Sequence, residues 1–121
     1  MSLASEAGTA ESKAIVSYYP PNAGFAGAPG RASVIPGAML DRYGGTGGFF
    51  LSPRGTPAWA RSLPYGVEAR PLMTYRVLKA FEVDAGPAAP WFGQPGGGMQ
   101  YDLGARTVQD LIDGRYLEVV K

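Results

Sequence analysis

Arg42 and Gln94 are the two polar side chains whose surroundings best suit a ligand site. Arg42 stands in "LDRYGGTGGFF" (40–50), directly before a glycine-rich run, and Gln94 stands in "PWFGQPGGGMQY" (90–101). A guanidinium presents fixed, planar donors that match phosphate oxygens. A carboxamide carries donors and acceptors that can orient a sugar hydroxyl or a water. Each also has an ordinary interpretation, an ion pair with Asp41 for the arginine and a turn for the glutamine, and spacing alone does not decide between them.

Both segments are rich in glycine and aromatic residues, yet neither fits an ordinary nucleotide motif. The run after Arg42 lacks the Lys-Ser/Thr pair of a P-loop, and neither segment has the spacing of a dinucleotide fingerprint that leads into a helix. Bare glycine amides can still approach a ligand closely. Phe50 is the ring best placed to stack on a ligand, although core packing is the alternative role of every aromatic here. The candidate substrate contacts are Tyr43, Gly44, Phe49, Trp91, Phe92, Gly93, Gly96, Gly97 and Gln100.

The chain of 121 residues contains no histidine and no cysteine. Their absence excludes Ser-His-Asp and Cys-His nucleophiles, disulfides and nearly all zinc or haem sites, so we expect no metal centre. The carboxylates form no close pair within a motif, which argues against a two-carboxylate glycosidase of the usual kind. Any chemistry must therefore use carboxylates, Lys, Arg, Tyr, Gln, hydroxyl groups and backbone amides.

The charge pattern argues against a nucleic-acid or membrane partner. Eleven basic and 10 acidic residues give a net charge of +1, and no run of like charges appears. Nucleic-acid and anionic-membrane surfaces need a basic patch, and no apolar stretch approaches the roughly 20 residues that span a bilayer. No secretory signal peptide is recognisable either. We therefore expect that export, if it occurs, depends on another part of a larger protein.

Glycine (18 residues) and proline (11 residues) separate a series of short apolar runs. The polar stretch 1–12 is interpreted as a leader or a junction remnant, and the folded domain is predicted over 13–121. Helices are predicted over 56–63, with Thr56 as N-cap, and over 107–114, with a capping box. Strands are predicted over 14–19, 33–43, 49–53, 71–86, 99–103 and 115–120, the second and third forming a hairpin and the fourth being one long strand or two joined at a bulge. This pattern indicates a β-dominated α+β domain with two short helices.

Five blocks of the chain together resemble one known family. The blocks are "YYPPNAGFAG" (18–27), "LDRYGGTGGFFLSPRGTP" (40–57), "SLP" (62–64), "APWFGQPGGGMQY" (89–101) and "VQDLIDGRYL" (108–117). In this order they resemble the C-terminal toxin domain of the tuberculosis necrotizing toxin family, which comprises NAD+ glycohydrolases. The similarity runs from about Tyr18 to the C-terminus, and the "LDRYG" and "PWFGQPGGG" blocks are its most specific parts.

The resemblance implies hydrolysis of NAD+, and of NADP+ in some relatives, to nicotinamide and ADP-ribose, with the dinucleotide as substrate and no cofactor. It implies a small β-rich fold related to the ADP-ribosyltransferase core, without the usual catalytic glutamate motif. The family's essential arginine falls on Arg42, its glutamine falls on Gln94, and a catalytically important aromatic falls on Phe50, where the family's toxin has tyrosine. A histidine that is important in that toxin has no counterpart in this chain, so proton transfer by histidine is excluded.

The resemblance also implies a biological setting. Toxin domains of this family end larger secreted proteins, enter a target cell and deplete its NAD, while a cognate immunity protein protects a bacterial producer. Three other interpretations stay open: an NAD(P)-binding module without hydrolysis, an ADP-ribosyltransferase that passes the ribose to a protein, and an interaction domain in which both glycine blocks serve loop geometry alone. The lack of a matching glutamate counts against the transferase. Incubation with NAD+ alone would separate the hydrolase from the binding module.

Overall fold

The computed structural model of the protein describes residues 20–121. The leader predicted over 1–12 and the strand predicted over 14–19 lie outside these residues. Within the described part of the chain, no helix is long and apolar enough to cross a membrane.

Seven strands form a single sheet in which every neighbouring pair is antiparallel. The strands are β1 (Gly30–Val34), β2 (Met39–Tyr43), β3 (Phe50–Pro53), β4 (Leu72–Val77), β5 (Phe81–Pro87), β6 (Met99–Asp102) and β7 (Leu117–Val120). Their order across the sheet is β1-β5-β6-β3-β2-β4-β7. One α-helix, α1 (Val108–Asp113), and three single 3-10 turns, Asn22–Gly24, Ala58–Ala60 and Val67–Ala69, complete the described fold. The predicted β-dominated domain is confirmed.

Two of the predicted strands are each divided in the structure. The run predicted over 33–43 is interrupted after Val34 by a turn in which Gly37 adopts φ 91°, and its two parts pair with different neighbours, β1 with β5 and β2 with β3 and β4. The run predicted over 71–86 likewise forms β4 and β5, which do not pair with each other in the sheet. Proline and glycine interrupt the first run because neither continues a regular ladder.

The predicted helix over 107–114 is confirmed, whereas the one over 56–63 is wrong. Thr107 and Asp110 form both hydrogen bonds of the capping box at the start of α1. Only Ala58–Ala60 are helical in the other segment, and Thr56 donates its hydroxyl to the Pro53 carbonyl instead of capping. The Thr56 carbonyl, which would accept an α-helical bond, accepts from the Arg61 guanidinium instead. A tertiary contact has therefore overridden the local helix signal.

Helix α1 covers one face of the sheet and forms the core with it. Val108 and Leu111 of the helix pack among buried strand residues that include Leu40, Tyr75 and Val77. Because strand side chains alternate between the two faces, the residue after Leu40 faces away from the helix. That second face carries the connecting loops rather than a second helix.

The β2–β3 junction is one of two short ladders in the middle of the sheet, the other being β3–β6. The two strands pair only at Leu40–Pro53 and Asp41–Ser52, whereas β2 pairs with β4 at five positions. Beyond the last pair the guanidinium of Arg42 enters the junction, and its Nη1 donates to the Phe50 carbonyl at 3.0 Å. The sheet therefore opens at this end of the junction.

Candidate active site

A cavity of about 430 Å³ lies on the loop-covered face, at the opening between β2 and β3. Strands β2, β3 and β6 supply part of its wall, and the loops around residues 20–24, 61–70 and 88–98 supply the rest. Its volume falls within the range of small-molecule sites in proteins. The cavity therefore brings together the two segments that the sequence singled out.

A buried ion pair between Asp41 and Arg61 forms the wall at the paired end of the β2–β3 junction. The side chains are 1% and 5% exposed, and Arg61 Nη2 donates to Asp41 Oδ1. The other carboxylate oxygen, Asp41 Oδ2, accepts the Gly55 amide at 3.0 Å. Both oxygens of Asp41 are therefore occupied by the protein, which leaves this carboxylate poorly suited to act as a nucleophile.

Nearly all the donors of Arg61 are also used within the protein. Its Nε and Nη2 donate to the Thr56 carbonyl at 2.9 and 2.7 Å, and its Nη1 donates to the Asp41 carbonyl at 3.2 Å. The guanidinium carbon lies 5.0 Å from the ring centroid of Tyr43, within the range of a cation–π contact. Since a guanidinium carries five N–H donors, one remains for a ligand. Arg61 fastens the 54–61 loop to β2 and supports Tyr43.

Arg42 differs from Arg61 because its charge has no carboxylate partner among residues 20–121. Beyond the bond to Phe50, its Nε is buried without a hydrogen-bond partner in that range. The guanidinium lies flat against Gly48, where an added Cβ would come within 2.3 Å of Cζ and both terminal nitrogens. Burial lowers the pKa of Arg42 from its ordinary value; Tyr75 acts in the opposite direction, and Arg70 lowers it further. An uncompensated, partly buried cation beside a cavity favours an anionic ligand.

The turn at Trp91–Gln94 places an aromatic ring at the cavity and directs the glutamine elsewhere. Trp91 and Gln94 exchange backbone hydrogen bonds across Phe92 and Gly93, both of which have positive φ, as a two-residue hairpin turn requires. Phe92 lines the cavity. The Gln94 side-chain amide donates to the Leu63 carbonyl at 2.9 Å, which ties the turn to the 61–64 segment. Gln94 itself is not among the lining residues.

The glycines of "PGGGM" pack against protein rather than presenting bare amides to the cavity. A Cβ at Gly96 would lie 2.6 Å from the Ala88 carbonyl oxygen, and one at Gly98 would lie 2.7 Å from the Thr56 methyl carbon. The amides of Gly96, Gly97 and Gly98 donate to protein carbonyls at 2.8 to 3.2 Å. Close packing at Gly96 and Gly98 and a φ of 92° at Gly97 therefore explain why this loop needs glycine.

Gln100 is the glutamine that faces the cavity. It lies on β6, and its Nε2 donates to the Ala23 carbonyl at 2.9 Å. A Cβ at Gly24 would be 3.4 Å from its Oε1. Gln100 therefore joins the sheet to the 20–24 loop while lining the cavity.

The structure brings some of the predicted site residues together and leaves others outside. Arg42, Tyr43, Phe50, Phe92 and Gln100 line the cavity, whereas Gly44, Phe49, Trp91, Gly93, Gln94, Gly96 and Gly97 do not. Sequence reasoning missed the lining residues Arg61, Ser62 and Arg70. The one available signal was an arginine placed among small and apolar residues in "PAWARSLP", a context in which a buried charge needs a partner.

Comparison with known proteins agrees with this architecture. A family model described as tuberculosis necrotizing toxin matches residues 33–120. The conidial surface nicotinamide adenine dinucleotide glycohydrolase of Aspergillus fumigatus is 41% identical over 112 residues, covering 82% of this chain and 47% of that protein. This chain thus spans about half the length of the curated relative it matches.

Two solved structures share the fold. Tuberculosis necrotizing toxin complexed with its immunity factor matches with a TM-score of 0.68 at 28% identity, over 83% of this chain and 60% of that chain. Tne2 in complex with Tni2 matches with a TM-score of 0.57 at 18% identity, over 80% of this chain and 92% of that chain, which is a likeness of fold alone. Since the family model matches most of its residues, this chain belongs to the tuberculosis necrotizing toxin family.

Proposed function

We propose that this domain is an NAD+ glycohydrolase that cleaves the bond between nicotinamide and ribose and releases nicotinamide and ADP-ribose. The observation that carries the proposal is the Arg42 guanidinium, which lines the cavity without a carboxylate partner in residues 20–121 and lies against the backbone of Phe50. A cation beside an aromatic ring suits the diphosphate and the nicotinamide end of one dinucleotide. Family membership and the 41% identical glycohydrolase of Aspergillus fumigatus support the same activity.

The proposed chemistry fits a chain without histidine or cysteine. The nicotinamide ring is cationic in NAD+ and neutral when it leaves, so the leaving group needs no proton. Water adds to the oxocarbenium-like ribose, and one proton is released to solvent. The protein must only position the substrate, stabilise developing charge and admit water.

We assign a separate role to each of three residues that line the cavity. Arg42 binds the diphosphate, and Phe50 packs against the nicotinamide end. Gln100 holds a ribose hydroxyl or the attacking water through the amide groups that its hydrogen bond to the Ala23 carbonyl leaves unpaired. The role carried over to Gln94 from the family resemblance would be indirect in this arrangement, because its amide is bound to the Leu63 carbonyl and fixes the Phe92 turn.

We further propose a substrate range and a biological setting for the domain. NADP+ is included as a second substrate, no cofactor is required, and the sheet is related to the ADP-ribosyltransferase core. The domain acts as the toxic part of a larger exported protein, in the cytosol of a target cell. An immunity protein would cover the cavity, and the Tyr65 ring, 94% exposed beside the lining residue Pro64, offers it an apolar contact.

The test is incubation of the purified protein with NAD+ alone, followed by chromatography of the nucleotides. We expect equimolar nicotinamide and ADP-ribose without any protein acceptor. Unchanged NAD+ together with measurable binding would instead indicate a binding module. Label appearing on an added protein, with little free ADP-ribose, would indicate a transferase.

A further inference from the structure

Arg70 is the third arginine that lines the cavity, after Arg42 and Arg61, and no group among residues 20–121 pairs with its side chain. It follows the 3-10 turn Val67–Ala69, and its amide donates to the Val67 carbonyl at 2.9 Å. The residue is exposed and lines the cavity. Within residues 20–121 its side chain makes no hydrogen bond, and the ion pairs there involve Arg31, Arg61 and Arg76 instead.

Arg70 and Arg42 approach each other across Gly44. A Cβ placed on Gly44 would lie 3.6 Å from Arg42 Nη2 and 3.9 Å from Arg70 Nη1. The two nitrogens are therefore no farther apart than the sum of these distances. The Gly44 amide donates to the Pro71 carbonyl at 3.0 Å, which holds the end of β2 beside the segment that carries Arg70.

Two guanidinium groups at this separation repel each other unless an anion lies between them. Asp41, the one buried carboxylate among residues 20–121, has its two oxygens bound to Arg61 and Gly55. A diphosphate offers two adjacent phosphates, and each guanidinium can bind the oxygens of one of them through paired donors. A monophosphate would leave one of the two arginines without a partner.

We propose that Arg70 and Arg42 together clamp the diphosphate of the dinucleotide, and that Arg70 makes the site prefer dinucleotides over mononucleotides. The identity of the substrate in this inference rests on the proposed function. Arg42, held by the Phe50 carbonyl, binds the phosphate on the nicotinamide side, and Arg70 binds the phosphate on the adenosine side. Because that phosphate is remote from the bond that breaks, Arg70 contributes to binding in the ground state and in the transition state alike.

The experiment compares Arg70→Ala and Arg70→Lys with Arg54→Ala. Arg54 is a matched control because it is an exposed arginine outside the cavity, so its replacement removes the same charge. For NAD+ we expect Arg70→Ala to raise KM by about 10- to 100-fold, the usual range for a lost charge-assisted contact, with kcat within about twofold. Arg70→Lys should recover part of the loss, and Arg54→Ala should match the wild type.

Nicotinamide mononucleotide, which has one phosphate, is the discriminating substrate. We expect its KM to change by less than about twofold in Arg70→Ala, since its only phosphate lies at Arg42. An equal rise in KM for both substrates, or an unchanged KM for NAD+, would overturn the clamp while leaving the glycohydrolase activity in place.

Calorimetric binding of ADP-ribose separates this inference from the proposed function. If the wild-type protein does not hydrolyse NAD+, the proposed function fails, and the Kd for ADP-ribose still tests Arg70. A Kd raised at least about tenfold in Arg70→Ala but not in Arg54→Ala supports the clamp. Equal Kd values for the two variants overturn it.

Discussion

Arg61 and Arg42 lie at the two ends of one strand junction, and they use their guanidinium groups in opposite ways. At the paired end, Arg61 donates to Asp41 and to the Thr56 carbonyl, and its side chain is 5% exposed. At the open end, Arg42 donates to the Phe50 carbonyl and has no carboxylate partner in the described residues. The first arginine holds the wall of the cavity together, and the second is available to a ligand. Residue type alone therefore does not reveal which arginine binds substrate.

Removal of Arg61 should produce the largest effect on stability. Arg61→Ala leaves the buried Asp41 carboxylate without its partner, so we expect the free energy of unfolding to fall by about 3–5 kcal/mol. Arg76→Ala is the control, because Arg76 pairs with Glu118 at the surface, where the side chains are 48% and 44% exposed, and such pairs contribute about 1 kcal/mol or less. Urea unfolding measures both variants. Similar losses in the two would show that the Asp41–Arg61 pair is not a structural anchor.

Removal of Arg42 should affect activity rather than stability. We expect Arg42→Ala to lower NAD+ turnover by about 100-fold, the usual loss when a substrate without its anchor is misplaced by about 1 Å. The free energy of unfolding should stay close to that of the wild type, because a desolvated cation without a carboxylate partner contributes little to folding. Steady-state kinetics and urea unfolding on the same sample test both statements. A folded Arg42→Ala variant with near wild-type turnover would refute the assigned role.

Displacement of the Arg42 guanidinium should reproduce much of this loss without changing its charge. A Cβ at Gly48 would lie 2.3 Å from the guanidinium, so Gly48→Ala must move it, and a displacement of about 1 Å can cost up to about 100-fold in rate. Gly45→Ala is the matched control, because nothing lies within 4 Å of its added Cβ. Turnover of NAD+ measures both variants. Equal activity of the two would mean that the contact between Gly48 and Arg42 does not set the active geometry.

Replacement of either glutamine should have a smaller effect on activity, and the comparison tests which of the two contacts the substrate. Gln100 lines the cavity, whereas the amide of Gln94 donates to the Leu63 carbonyl. We expect Gln100→Ala to lower kcat/KM for NAD+ by about tenfold, the scale of one lost hydrogen bond, and Gln94→Ala to lower it less. A larger loss in Gln94→Ala would favour the direct role that the family resemblance places on Gln94.

Tyr75 should produce the smallest effect, visible only at high pH. Its hydroxyl is buried without a hydrogen-bond partner in residues 20–121, and burial raises its pKa above the ordinary value of 10.0, with Arg42 opposing the rise. Above that ordinary value the folded state holds a proton that the unfolded chain has lost, so the free energy of unfolding falls as pH rises. Tyr75→Phe should remove this part of the fall. Urea unfolding between pH 9 and 11 measures it, and identical slopes for both proteins would contradict the assignment.

Elements with local signals could be predicted from the sequence. The capping box of α1 was recognisable because its two side chains are three residues apart and bond each other's backbone. Strands β3, β6 and β7 lie within the runs predicted for them. The helix predicted over 56–63 failed because Arg61, whose partner Asp41 is 20 positions away, takes the Thr56 carbonyl. Helix propensity depends on the local sequence, so it does not account for a side chain that competes for a helix carbonyl through tertiary contacts.

The predicted site residues that line the cavity come mostly from β2, β3 and β6, and most of those predicted in the loops lie outside it. Arg42, Phe50 and Gln100 belong to strands whose pairing brings them to one cavity. Gly96 and Gly97 were predicted as ligand contacts, yet Gly96 packs against the 88–89 backbone, and the amide of Gly97 donates to the Ala88 carbonyl. A glycine requirement shows that space is short, and it does not show whether a ligand or the protein fills that space.

The sequence by itself determined which chemistry this protein can use and the family to which it belongs. Without histidine or cysteine, its active groups must come from carboxylates, Lys, Arg, Tyr, Gln, hydroxyl groups and backbone amides, and two specific blocks carry the family pattern. Tertiary structure alone decided which arginine is free and which glutamine faces the cavity. Those outcomes depend on partners far along the chain, Asp41 for Arg61, Leu63 for Gln94 and Ala23 for Gln100, at separations of 20, 31 and 77 residues. A side chain can bind a ligand only through the N–H donors and acceptor lone pairs that folding has left unpaired.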